Sequence, residues 1–257
     1  MGRLFAFLGG QLAAFFVQVF QMFCYGVQCV TEMRHLYLYR RQIIEQCYAI
    51  GVGSLPLVCL ISAFSGMAIA IQTAYQMEDY VPDYMVGALM VRSVILVLSP
   101  ILLGLVLAGR VGAGIASELG TMKVSEQVDA LTSMAVDPVG YLMLPRMLAG
   151  AIMVPVLVIY SFLVANICGF GMSMIKMAIT PTELVKGMKL YFEVYDVFVG
   201  LVKSVVYGGL LTFMGSYRGL CTAGGAQGVG RAATAAVVIS SALVLILDYF
   251  LTHALLY

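Results

Sequence analysis

Residues 47–75 read CYAIGVGSLPLVCLISAFSGMAIAIQTAY, without one Asp, Glu, Lys or Arg. A helix needs about 20 mostly apolar residues to cross the hydrocarbon core of a bilayer, so this stretch is long enough to span. Four more apolar runs follow, at roughly 85–109, 142–175, 197–214 and 232–256. The chain of 257 residues is 62% hydrophobic and 11% charged, whereas soluble domains hold roughly 45–50% apolar and about 25% charged residues. That composition excludes a water-soluble enzyme and a disordered chain. A net charge of +1 leaves no basic field to hold a nucleic acid. The expected fold is an all-α integral membrane protein with five transmembrane helices.

Ahead of these runs, residues 5–30 carry Gln11, Gln18, Gln21 and Gln28, which fall within about 100° of arc on an otherwise apolar helix. A narrow polar stripe suits an amphipathic helix lying in the membrane interface. Residues 1–45 are therefore read as an interfacial helix with a polar linker (Glu32, Arg34, His35, Arg40, Arg41, Glu45), and 46–257 as the spanning domain. The opening Met1-Gly2-Arg3 and its apolar run lack a convincing cleavage site and are kept in the mature chain. Six cysteines form no C-x-x-C pair and His35 and His253 lie far apart, so neither a disulfide framework nor a metal site is expected.

Basic flanks set the orientation. A cytoplasmic N-terminus places Arg3, Arg34, Arg40, Arg41, Arg110, Lys123, Arg146, Arg218 and Arg231 inside, against Lys176, Lys186 and Lys189 outside. An acidic loop (Glu78, Asp79, Asp83) then also faces outward, and a Gly-rich loop at 215–231 faces inward. With five spans the C-terminus lies outside.

Arg92, Lys203 and Asp248 are the ionisable side chains read as lying well inside the spans. Each is six to eight residues from the outer end of its run, roughly 10 Å deep at 1.5 Å per residue. An unpaired charge there costs about 2.5–3.5 kcal/mol on the insertion scale. The economical solution is a cluster in which Asp248 meets Lys203, Arg92 or both. Its surplus of positive charge favours an anionic ligand. Two readings stand: a polar feature of a transport path, or a structural ion pair with Arg92 and Lys203 snorkelling outward.

Residues 110–146 are more polar than their surroundings. Val124, Val128, Leu131 and Ala135 fall on one helical face, with Ser125, Glu126 and Asp129 in the first turns and Asp137-Pro138 at the end. A short amphipathic helix between two spans has the form of an element that docks into a groove on a soluble partner; an interfacial helix without a partner is the plainer alternative. The chain holds no catalytic constellation of its own. Residues 225–232 match G-x-x-x-x-G but place Arg231-Ala232 where a phosphate loop needs Lys-Ser/Thr. A permease energised through a soluble partner, an ion- or proton-coupled transporter relaying through Lys203/Asp248, and a membrane-embedded lipid enzyme are the classes left. The helix favours the first.

The series Gly109-Arg110, Glu118-Leu119-Gly120, Glu126-Gln127-Val128-Asp129 and Val136-Asp137-Pro138 resembles the signature of MlaE-type permeases, the membrane subunits of ABC transporters that move phospholipid across the Gram-negative envelope with MCE proteins. Phe64, Gly66-Met67, Gln72, Lys203-Ser204-Val205, Gly230-Arg231 and Leu247-Asp248 extend the likeness to about residues 45–257. The resemblance implies a homodimer in the bacterial inner membrane, N-terminus cytoplasmic and C-terminus periplasmic. It implies two ATP-binding cassette subunits with ATP and magnesium on those partners, a periplasmic MCE-domain ring and a small STAS-type accessory on the ATPase. No cofactor is expected on this chain itself. The segment at about 117–137 would be the coupling helix, with Glu118, Glu126, Asp129 and Asp137 contacting or supporting the ATPase. Gln72, Tyr75, Leu96 and Val97 would line a phospholipid cavity between two copies, and Lys203 would pair with Asp248. One departure stands out: the family commonly has an Arg-Glu pair before the second-span proline, where this chain has Leu96-Val97-Leu98-Ser99-Pro100. Arg92, one turn earlier, is the expected replacement as a head-group contact.

Overall fold

The computed structural model describes residues 2–77, 82, 84–177 and 179–256. Helix α1 (Gly2–Glu32) passes through a 3-10 stretch (Met33–Tyr39) into α2 (Arg40–Met77). The second span, Tyr84–Val124, joins α3 (Tyr84–Ser93), α4 (Ser99–Leu107) and α5 (Ala113–Val124) through two π-helical turns, Val94–Leu98 and Ala108–Gly112. A short α6 (Gln127–Ser133) leads through a further π turn (Val139–Met143) into α7 (Leu144–Met177). Then follow α8 (Pro181–Tyr191), α9 (Val194–Leu220) and α10 (Gly225–Leu256). No strand occurs among the described residues, and five helices are long and apolar enough to cross a membrane. The acidic loop Glu78, Asp79 and Asp83 lies outside the described residues, as do the side chains of Arg3, Gln11 and His35.

The spans alternate in direction, so α6 and the α9–α10 turn share one end of the bundle and α8 sits at the other. Helix α2 packs along α7, α7 on α9, and α9 on α5 and α10. Leu103, Leu107, Leu119, Leu157, Leu211 and Met214 fill the centre. Between lipid-like surfaces, close packing and interhelical hydrogen bonds replace the hydrophobic drive. A Cβ on Gly150 would fall 2.6 Å from the Gly208 carbonyl oxygen, so α7 and α9 meet backbone to backbone. Ser62 donates to Ser161 (2.7 Å) and Ser161 to Ser99 (3.2 Å), a hydroxyl chain tying α2, α7 and α4.

Several boundaries differ from the sequence reading, each for a packing reason. The second apolar run does not stop at 109. It continues as one 41-residue helix to Val124, roughly 60 Å at 1.5 Å per residue, about twice the roughly 30 Å hydrocarbon core. Nor is 215–231 a loop: α9 runs to Leu220 and α10 starts at Gly225. Gly215 and Gly219 are contact points, where added Cβ atoms would lie 2.7 Å from the Gly112 carbonyl oxygen and 2.6 Å from Leu119 Cβ. The turn itself uses Gly224 (φ 90°) and Gly225 (φ 68°), a left-handed backbone that glycine adopts freely. The polar linker before residue 46 is helical, with α2 starting at Arg40.

Helix α1 meets the rest of the chain at the α6 end. Tyr25 stacks edge-on against Tyr217 (5.6 Å between centroids), and the Tyr217 hydroxyl donates to the Gln18 carbonyl at 3.3 Å. Phe20, Phe23, Val27 and Val30, spaced 3, 4 and 3 residues apart, stay exposed as one apolar face. Cys29, on the inner face of α1, is buried. Burial, reinforced by Asp137 and Glu32, pushes its thiol up to about 11, so it stays protonated and inert at neutral pH.

Candidate functional site

The long second span carries α6 away from the apolar body of the bundle. The continuous amphipathic helix expected through Val124 and Ala135 is broken instead at Glu126, which adopts a left-handed φ of 60°. A second left-handed residue, Ala135 (φ 59°), closes α6. Ala135 N–H donates to the Thr132 carbonyl and Val136 N–H to the Leu131 carbonyl, both at 3.0 Å, the Schellman pattern of a helix end. Asp137-Pro138 therefore lies beyond the helix, with another task. Val128 faces inward, while Val124 and Met134 stay exposed, Met134 at 73%. Met122, Val128, Leu131, Met134, Tyr141 and Leu142 line an apolar cavity of about 350 Å³ beside α6.

The four acids of this segment divide by what holds them. Glu118 accepts from Arg146 Nη2 at 2.7 Å, and the same buried guanidinium donates through Nη1 to the Leu142 carbonyl at 2.6 Å. That joins α5 to the start of α7. Asp129 takes Lys123 Nζ at 2.6 Å across the Glu126 turn. Asp137 accepts the Val139 and Gly140 N–H groups and the Gln28 side-chain amide of α1, each at 3.2 Å. Glu126 is exposed and makes no side-chain hydrogen bond or ion pair among the described residues.

Asp137 is therefore a cap for the third span and an anchor for α1. Asp137→Ala should cost about 1–2 kcal/mol, the usual loss for an N-terminal capping side chain. Asp137→Asn, which keeps one acceptor oxygen, should cost less. Thermal unfolding of the three proteins in the same lipid environment checks the ranking; equal midpoints would remove the capping role.

Toward the other end, Lys203 is 1% exposed and Asp248 18%. Lys203 Nζ donates to Asp248 Oδ1 (2.8 Å), to Thr252 Oγ1 (2.7 Å) and to the Leu96 carbonyl (3.3 Å). Tyr207 donates its hydroxyl to the same Asp248 oxygen at 2.7 Å. The three ammonium protons thus have three acceptors. The Leu96 carbonyl lies in the first π turn, a geometry that frees carbonyls from the helix ladder and recurs at functional sites. Sequence reasoning named neither Tyr207 nor Thr252, although each stands four residues after a named charge, the spacing of helical neighbours.

Arg92 does not join that cluster, and the positive surplus expected there does not arise. Its guanidinium pairs with Asp196 (3.0 Å) and more loosely with Glu193 (3.9 Å). Asp196 is buried and its Oδ1 has no partner among the described residues. Half-exposed Arg92 also lines a cavity of about 90 Å³ with Met85, Ala88, Leu89 and Tyr191. Gln72 and Tyr75 stand exposed on α2, and Val97 on the first π turn, on outward surfaces of the chain. Leu96 is half-buried beside Val97.

Comparison with known proteins agrees with this architecture. Residues 43–254 match the family model described as Permease MlaE. A probable ABC transporter permease protein of Rickettsia typhi is 39% identical over 85% of this chain and 84% of its own length. A probable ABC transporter permease protein of Synechocystis is 37% identical over 83% of this chain and 81% of its own length. The chloroplastic protein Trigalactosyldiacylglycerol 1 of Arabidopsis thaliana is 32% identical over 82% of this chain and 61% of its own length. With the family model spanning five apolar helices and the α6 segment together, the chain belongs to the MlaE permease family.

Proposed function

We propose that the chain is the membrane subunit of an ATP-driven phospholipid transporter, working as a homodimer in the bacterial inner membrane with the α6 end in the cytoplasm. The observation that carries this is α6 itself. A seven-residue helix bounded by two left-handed residues, projected on a 41-residue span and flanked by exposed Met134 and Glu126, serves no need of membrane crossing. It suits docking to a soluble partner. The chain has no phosphate loop of its own, so ATP and magnesium would sit on two ATP-binding cassette subunits, as the relatives' designation as ABC transporter permeases supports. The N-terminus is then cytoplasmic and the C-terminus periplasmic, in keeping with the basic flanks.

Lipid cargo is supported by the family and by the Arabidopsis relative, whose name is that of a glycolipid. The exposed Gln72, Tyr75 and Val97 would face the cavity between two copies, with Leu96 beside them. An MCE-domain ring on the periplasmic side and a STAS-type accessory on the ATPase complete the proposed assembly. An ion- or proton-coupled transporter relaying through Lys203 is less well supported, because all three donors of Lys203 already have internal acceptors.

Native mass spectrometry of the complex, gently extracted from its host membrane, tests the reading. The expected particle holds two copies of this chain, two ATPase subunits and retained phospholipid. A lone monomer without ATPase or lipid would overturn it.

A further inference from the structure

Helix α8 has two unlike faces. Leu184 and Gly187 are buried against α3, and a Cβ on Gly187 would collide with the Tyr84 carbonyl. From the other side, a Cβ on Gly87 would lie 2.9 Å from the Leu184 carbonyl oxygen. The two backbones touch, so α8 is a platform fixed to the end of the second span. Its outward residues, Pro181, Thr182, Val185, Lys186, Lys189 and Leu190, line a concavity of about 550 Å³. Their offsets of 1, 4, 5, 8 and 9 from Pro181 describe one helical stripe.

Two lysines and two large apolar side chains share that stripe. Lys186 Nζ lies 5.6 Å from the Tyr84 ring centroid, and neither lysine has a carboxylate partner among the described residues. The single acid of α8, Glu183, accepts from Thr180 Oγ1 at 3.1 Å at the start of the helix. Among the described residues the stripe is therefore electropositive and complementary to an anion. Exposed apolar residues continue from Leu190 through Phe192 and Val194 to Phe198, on the outer surface of α9. That surface leads from the bilayer to the lysines, a path that suits an anion carrying its own apolar tail.

We propose that this face of α8 binds an anionic phospholipid, its phosphate held by Lys186 and Lys189 and an acyl chain laid along Val185 and Leu190. The proposal rests on reading the chain as a lipid transporter. It gives that transporter a head-group site at the end of the bundle opposite α6, where a lipid would pass between the membrane and an outer partner.

The test uses the full chain in nanodiscs of phosphatidylglycerol and phosphatidylcholine, with a benzophenone side chain introduced at Leu190. Irradiation should cross-link phosphatidylglycerol in preference to phosphatidylcholine. Lys186→Gln and Lys189→Gln should each lower that yield about fivefold, the usual worth of one basic residue at an anionic surface. Lys186→Arg/Lys189→Arg should retain it. A benzophenone at Leu245, an exposed site on α10, should report the same yield in every variant. Unchanged yields in the double Gln variant would overturn the site. So would full competition by inorganic phosphate, which would mark a free-anion site, or cross-linking to a second protein chain in place of lipid. ATP-driven lipid movement is measured on parallel complexes. Charge-dependent cross-linking without transport would fell the transporter reading and leave the lipid site. Transport with charge-independent cross-linking would do the reverse.

Discussion

Asp248→Ala should destabilise the protein by about 3–5 kcal/mol, because it strands the Lys203 ammonium in the interior without its counter-charge. The pair is set between α9 and α10, with Tyr207 and Thr252 completing the network. Tyr207→Phe removes one hydrogen bond to a charged acceptor and should cost less, about 1.5–3 kcal/mol. The double variant Lys203→Met/Asp248→Leu removes both charges together and replaces them with apolar side chains of similar length. Buried pairs exchanged in this way are often neutral or even stabilising. Its midpoint should therefore recover to near that of the parent. Thermal unfolding of the four proteins in one nanodisc composition gives the ranking. A parent-like midpoint for Asp248→Ala would show that the pair carries no weight in the fold. The double variant also leaves the Leu96 carbonyl without the Lys203 donor. It thereby separates the fold from whatever the first π turn contributes to transport.

The five spans were legible because uninterrupted apolar length is itself the physical requirement for crossing. Their ends were not. Glycine reads as a turn signal in soluble chains, whereas in membrane helices small residues mark close contact. That is why Gly215 and Gly219 resembled a loop although they seat α9 against α5. Charge was misleading for a different reason. Asp196 and Glu193 fall before the apolar run at 197–214 and so outside the charges read as intramembrane, yet Asp196 is buried and pairs with Arg92 from α3. Long-range pairing of this kind leaves no mark in a single sequence. Lys203 and Asp248 were accessible to reasoning because an intramembrane charge demands a partner and few candidates exist. The breaks at Glu126 and Ala135 had no signal. Neither residue favours the left-handed region, and both are held there by the helix ends they terminate.

That same geometry sets the expectation for α6. Of the four acids in and around α6, Glu118, Asp129 and Asp137 are engaged within the chain, which leaves Glu126 to face a partner. Met134, 73% exposed, is the most exposed large apolar side chain lining the cavity of about 350 Å³. An exposed apolar anchor next to a concave apolar surface is where binding energy concentrates, at about 2 kcal/mol or more for each such residue. Met134→Asp should therefore weaken association with the ATPase subunits at least about thirtyfold and leave hydrolysis unresponsive to the membrane subunit. Glu126→Lys should act in the same direction through charge reversal, while Met134→Leu should behave as the parent. Because Met134 is mostly solvent-exposed, its substitution should not shift the unfolding midpoint. Leu131→Asp, which introduces a charge into the core packing, should lower it. Co-purification of ATPase subunits, read beside thermal unfolding, tells a lost docking surface from a lost fold. If Met134→Asp retained its full complement of ATPase and coupled hydrolysis, α6 would be a connecting helix and the coupling surface would lie elsewhere on that end of the bundle.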